Sequence, residues 1–60
     1  MDPKTQVRRV LLYALEREKQ GVTFFEQNAG RLQNSSARAV FEQLAREEIK
    51  HAEYIRHLLN

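Results

Sequence analysis

The sequence contains no cysteine. That single absence removes disulfides, thiolate metal sites and iron–sulfur clusters together. Proline occurs once and glycine twice, and the Val/Ile/Thr runs that mark a sheet are missing, so the composition suits helices. No apolar run approaches the ~20 residues of a membrane span, and no signal-peptide pattern opens the chain. These absences set the expectation of a cytoplasmic protein with no membrane partner. Charge of one sign is also lacking. Ten Lys plus Arg stand against eight Asp plus Glu, a formal net charge of +2. The series Arg8-Arg9, Arg17, Arg31, Arg38 and Arg46 is interleaved with Glu and Gln. A solvated helix face explains it more simply than a nucleic-acid interface, so no nucleic-acid partner is expected.

What is present is 42% hydrophobic and 30% charged residues in a chain of 60. A chain of that length buries only about 60% of its unfolded surface. It therefore needs a disulfide, a metal or a partner to hold a core, and without cysteine the metal and the partner remain.

Asp2-Pro3 is a helix start, with an acid to cap free N–H groups and a proline tolerated at the first helical position. Val7, Leu11, Ala14, Glu18, Gly21, Phe25, Asn28 and Leu32 then recur at alternating spacings of four and three. This heptad stripe predicts a helix over about 3–33, with Gly30 weakening its last turn. Asn34-Ser35-Ser36 is the one interior turn signal, and Ser35 or Ser36 can cap the helix that follows. A second stripe runs through Ala37, Phe41, Leu44, Glu48, His51, Ile55 and Leu58, predicting a helix over about 37–59. The expected architecture is all-α, a single unit over 1–60 folded as an antiparallel two-helix hairpin.

The polar exceptions carry the chemistry. Glu18 interrupts the first stripe, Glu48 and His51 the second, and Asn28 is a milder case. Glu48 and His51, three apart, point the same way from their helix. At about 1.5 Å per residue, Glu18 lies roughly 25 Å from the turn, and Glu48 and His51 roughly 20 and 25 Å. All three therefore sit at one level. A carboxylate in an apolar seam must be neutralised, paired or bound to a cation, and a Glu and His so placed can share one metal ion. His57 lies about 180° around the helix from Glu48, and Glu47 about 100° off the seam; neither is expected to bind metal. Tyr13, Phe24 and Tyr54 are expected at the core edge. Tyr54, at i+3 from His51, is the residue placed to touch the ligands from outside.

Two helices cannot enclose a core, and Leu15, Val22, Ala45, Ala52 and Leu59 widen both stripes. The economical arrangement is a two-fold homodimer making a four-helix bundle, in which the polar group doubles to four Glu and two His. Four carboxylates balance two divalent ions, and carboxylate with imidazole but no thiol suits iron or manganese.

The segment from Glu18 to Ala29, with a small residue three and an aromatic seven after the acid, resembles the first helix of rubrerythrin-like members of the ferritin-like superfamily. Leu44 to Glu53, with Glu47-Glu48-Ile49-Lys50-His51 at its centre, resembles that family's second metal-binding helix. The resemblance covers about Val10 to Leu59. It implies metal ligation by Glu18, Glu48 and His51 from each of two chains, with Glu48 bridging, and a cofactor of two Fe ions per dimer, or Mn. Family members generally carry four helices in one chain as two similar halves, whereas this chain holds one half. Nor does it hold the cysteine-ligated rubredoxin-type centre through which full-length rubrerythrins receive electrons, so an external electron donor is implied. The activity implied is ferroxidase- or peroxidase-type oxidoreduction, ferrous iron oxidised by O₂ or H₂O₂. The setting implied is the cytoplasm, either free or inside a larger protein compartment. The alternative is a non-catalytic helical dimerisation module whose polar seam sets register.

Overall fold

The computed structural model describes residues 2–60. Helix α1 spans Pro3–Arg31 and helix α2 spans Ser35–Leu59. The two run antiparallel as a hairpin with principal extents of 49 × 15 × 11 Å. No strand occurs among the described residues.

Each helix starts on a side-chain cap. The Thr5 backbone N–H donates to Asp2 Oδ1 at 2.9 Å and the Thr5 hydroxyl to Oδ2 at 3.2 Å, satisfying donors that a helix start leaves orphaned. Asn34 does the same for α2, its Oδ1 accepting from the Ala37 N–H at 2.9 Å. The cap is therefore one residue before the expected serines, and Ser35 and Ser36 belong to the first turn of α2. Helix α1 stops at Arg31, short of the expected Gln33. Leu32 turns extended (φ −84°, ψ 131°) while its N–H still reaches the Ala29 carbonyl. Gly30 stays helical, with no positive φ. The connection is thus only Leu32-Gln33-Asn34.

The hairpin has a narrow core. Among the described residues Ala29, Ala45 and Ala52 are the buried ones, and no large side chain is completely enclosed. Small side chains let the helix axes approach closely. Near the turn, Phe25 meets Phe41 edge to face at 5.7 Å between ring centroids, a geometry favoured by the ring quadrupoles.

The row of α2 that faces α1 differs from the expected stripe. Ala45, Ala52 and Leu59, expected to flank the seam, lie in it; Leu44, His51 and Leu58, expected in the seam, lie to one side and are exposed. The reason is the width of a two-helix contact. A stripe of both rows spans more than 100° of the helix, and one neighbour covers only part of it. The alanine row permits the closer approach.

The seam divides the hairpin surface into two sides. At 100° per residue, Val10, Gly21 and Phe24 of α1 fall on the same side as Val40, Leu44, His51, Tyr54 and Leu58 of α2. On the other side Lys19 and Val22 line a shallow groove with Ile49, Ala52 and Arg56.

Candidate metal centre

Helical phase brings the three polar exceptions together. Glu18 lies mid-way along α1, 15 residues after Pro3 and 13 before Arg31. Glu48 lies mid-way along α2, 13 residues after Ser35 and 11 before Leu59. Folding at Leu32–Asn34 sets them opposite one another, with His51 one turn further along α2. One donor atom from each of Glu18, Glu48 and His51 falls within 4.8 Å of the others.

The three do not share one environment. Glu18 is largely covered, its side chain 25% accessible, whereas His51 is 58% accessible. In the single hairpin His51 sits at the rim of the seam, on the side carrying Leu44 and Tyr54. Within the seam, Glu18 Oε2 is buried and has no hydrogen-bond donor among the described residues. His51 Nδ1 stands 3.5 Å from it, long for a hydrogen bond but within reach of an ion pair when the imidazole is protonated.

Electrostatics mark the same conflict. Glu48 has its pKa raised above the ordinary carboxylate value. The largest cause is a hydrogen bond to Glu18, which only a protonated Glu48 can donate; partial burial and the Glu18 charge add to it, and His51 opposes it. Two carboxylates this close resist joint ionisation, and a proton or a cation between them relieves the repulsion.

That is the test of whether a metal fits, and the residues present fit one. Donors bonded to a common divalent ion at about 2.1 Å lie within about 4.2 Å of each other, so 4.8 Å requires only small side-chain movements. The buried Glu18 oxygen supplies an anionic donor, for which a cation competes with a proton on Glu48 and with the His51 imidazole. Two carboxylates and an imidazole are also the donor set that suits iron or manganese.

The neighbouring candidates separate cleanly. Glu47 is engaged along its own helix, its Oε1 accepting from Gln43 Nε2 at 2.6 Å, and His57 is exposed. Both stand apart from the trio. Tyr54 is 63% exposed and makes no hydrogen bond to the trio among the described residues. Sequence reasoning placed Gly21 in the first stripe, as the small residue three after Glu18, but gave it no contact with Glu48. A Cβ there would lie 3.0 Å from Glu48 Oε2, 3.2 Å from Cδ and 3.3 Å from Cγ. The available signal was a glycine inside a strong helical pattern, which costs about 1 kcal/mol relative to alanine and calls for a packing reason.

The two helices and the Glu, Glu and His across their seam match in residue type what a Glu helix and a Glu-x-x-His helix contribute to carboxylate-rich bundles. The chain belongs to the rubrerythrin family, whose family model matches residues 9–60. No curated protein and no solved structure matches it. The matched span contains all three members of the cluster. Among the described residues, no helix is long and apolar enough to cross a membrane.

Proposed function

We propose that two copies of the hairpin pack through the His51-bearing side into a four-helix bundle. Glu18, Glu48 and His51 of both chains then form a di-metal carboxylate centre that oxidises ferrous iron with O₂ or H₂O₂. The observation that carries this reading is the convergence of three donors around a buried, unpartnered Glu18 oxygen. The mid-length position of the trio supports the two-fold arrangement. A perpendicular two-fold at that level brings the trios together while the helices still overlap along their full length.

The roles of the chain's residues follow from their places. Glu18, with one carboxylate oxygen buried in the seam, would anchor one ion per chain and keep water from that side. Glu48, next to the symmetry-related copy, would bridge, and its raised affinity for a proton makes it the carboxylate to exchange that proton for a cation. His51 at the rim supplies the neutral donor, so four carboxylates balance two divalent ions and the enclosed centre carries no net charge. When bound, iron or manganese would supply the redox electrons, and an external donor would restore the reduced state.

The test is metal content and turnover. Protein reconstituted anaerobically should bind two Fe²⁺ or Mn²⁺ per dimer, and bound Fe²⁺ should oxidise faster than free Fe²⁺ on adding O₂ or H₂O₂. A dimer that binds no metal would leave the second reading, a non-catalytic module. The 3.5 Å approach of His51 to Glu18 favours that reading to the extent that a protonated imidazole can neutralise the acid alone.

A further inference from the structure

We propose that Gly21 is a positioning residue for Glu48: the side chain it lacks is the space in which the Glu48 carboxylate lies against α1. Three facts converge on this role. Gly21 follows Glu18 by three residues, so both occupy the same side of α1. All of the nearest atoms to a Cβ at Gly21 belong to the Glu48 side chain, at 3.0, 3.2 and 3.3 Å. The glycine is helical and has no positive φ, so its backbone conformation is open to any residue and does not account for its presence. Gly30, in the same helix, has nothing within 4 Å of a Cβ and serves as an internal control.

The consequence is a conflict between helix stability and the site. Alanine is the better helix former, so either glycine replaced by alanine should stabilise α1. At position 21 the added methyl group must push Glu48 aside by a few tenths of an ångström. The end of a flexible acid can yield when nothing else holds it. It cannot yield freely when the same carboxylate must also meet a cation fixed by Glu18 and His51. Gly21 should therefore weaken the helix and strengthen the site. The metal half of this inference rests on the proposed di-metal centre; the contact half does not.

The experiment measures both. Full-length Gly21→Ala and Gly30→Ala proteins are titrated with Mn²⁺ alone, and their metal-free melting temperatures are recorded beside those of the same substitutions made in Glu48→Ala. Gly30→Ala should leave Mn²⁺ affinity within twofold, and Gly21→Ala should weaken it tenfold or more. Without metal, Gly21→Ala should raise the melting temperature more in Glu48→Ala than with Glu48 present, while Gly30→Ala raises it equally in both. Equal gains for Gly21→Ala in the two backgrounds would overturn the positioning role whether or not metal binds. Mn²⁺ affinity unchanged by Gly21→Ala would overturn its part in the metal site. Wild-type protein that takes up no Mn²⁺ would refute the di-metal reading and with it that metal role, while the melting temperatures still decide the contact.

Discussion

The two sides of the hairpin seam are built from the same two helices and differ in almost every respect. On the His51 side, Val10, Phe24, Val40, Leu44, Tyr54 and Leu58 are all exposed, several by more than half, with Arg17 and Glu47 as charged residues at its outer edge. On the other side, Arg8, Lys19, Glu26, Arg38, Glu42 and Arg56 accompany the apolar Leu12 and Ile49 at similar helical phase. One side has the make-up of an interior that lacks its other half; the other has the make-up of a solvated surface. The metal-ligand candidates are placed accordingly, opening toward the apolar side through His51. A contiguous exposed apolar face marks an interaction surface, and for a chain too short to enclose a core that surface is also a source of stability.

The largest expected effect breaks this difference directly. Leu44→Arg places a charge in the apolar face and should weaken self-association by about 2 kcal/mol or more, about thirtyfold. Ile49→Arg, on the charged side, should leave it nearly unchanged. Sedimentation across a concentration series compares them. Equal dissociation by both changes would mean the face has been drawn on the wrong side.

Metal is the next lever. If the centre forms only in the folded bundle, Mn²⁺ at a hundredfold excess over its Kd should stabilise the protein by about 2.7 kcal/mol. Glu48→Ala removes one acid from each chain, so it should abolish binding while the metal-free protein is no less stable. Glu47→Ala and His57→Ala should keep two ions per dimer. Calorimetric melting with and without Mn²⁺ reads all four proteins.

A smaller effect concerns protons in the metal-free protein. Because the folded pKa of Glu48 is raised, its neutral form is favoured by folding. Its contribution is fully present below the ordinary carboxylate value and is lost as pH rises through the folded value. Asp2 works the other way. Its pKa is lowered by the Thr5 hydrogen bonds, so its contribution is present at higher pH and fades on acidification. Comparing wild type with Glu48→Gln isolates the first effect: wild type should lose stability relative to the variant as pH rises above the ordinary carboxylate value of 4.5. A difference that stays flat over that rise would show that the two acids do not interact.

The smallest effect tests the turn, remote from both sides. Asn34→Ala removes the α2 cap and should cost about 1 kcal/mol, whereas Ser36→Ala should stay within about 0.5 kcal/mol. The reverse order in thermal melting would move the cap to the serines.

The cap also shows where sequence reading reached its limit. Asn34, Ser35 and Ser36 are all competent N-caps, and local chemistry does not choose among them. In the structure α2 begins at Ser35, which leaves Asn34 in the extended conformation (φ −73°, ψ 119°) that a cap requires. Helix existence and the hairpin were legible because they rest on heptad spacing and one short turn. The common level of Glu18, Glu48 and His51 was legible because rise per residue is constant.

Which row of α2 faces α1 was not legible from that periodicity. Ala45-Ala52-Leu59 and Leu44-His51-Leu58 are adjacent rows about 100° apart, both apolar enough to belong to a core. The choice depends on how closely two helices approach, and that depends on side-chain volumes meeting across the seam. Only the tertiary structure decides it. The same choice leaves His51 at the rim, encloses the Glu18 oxygen without a donor, and lays Glu48 across Gly21. Two helices, their antiparallel pairing and three metal-capable residues at one height follow from the order of residues alone, because each depends on distance along the chain. The azimuth of the contact, and with it the exposure of every ligand candidate, belongs to the tertiary structure because packing is a property of two surfaces together.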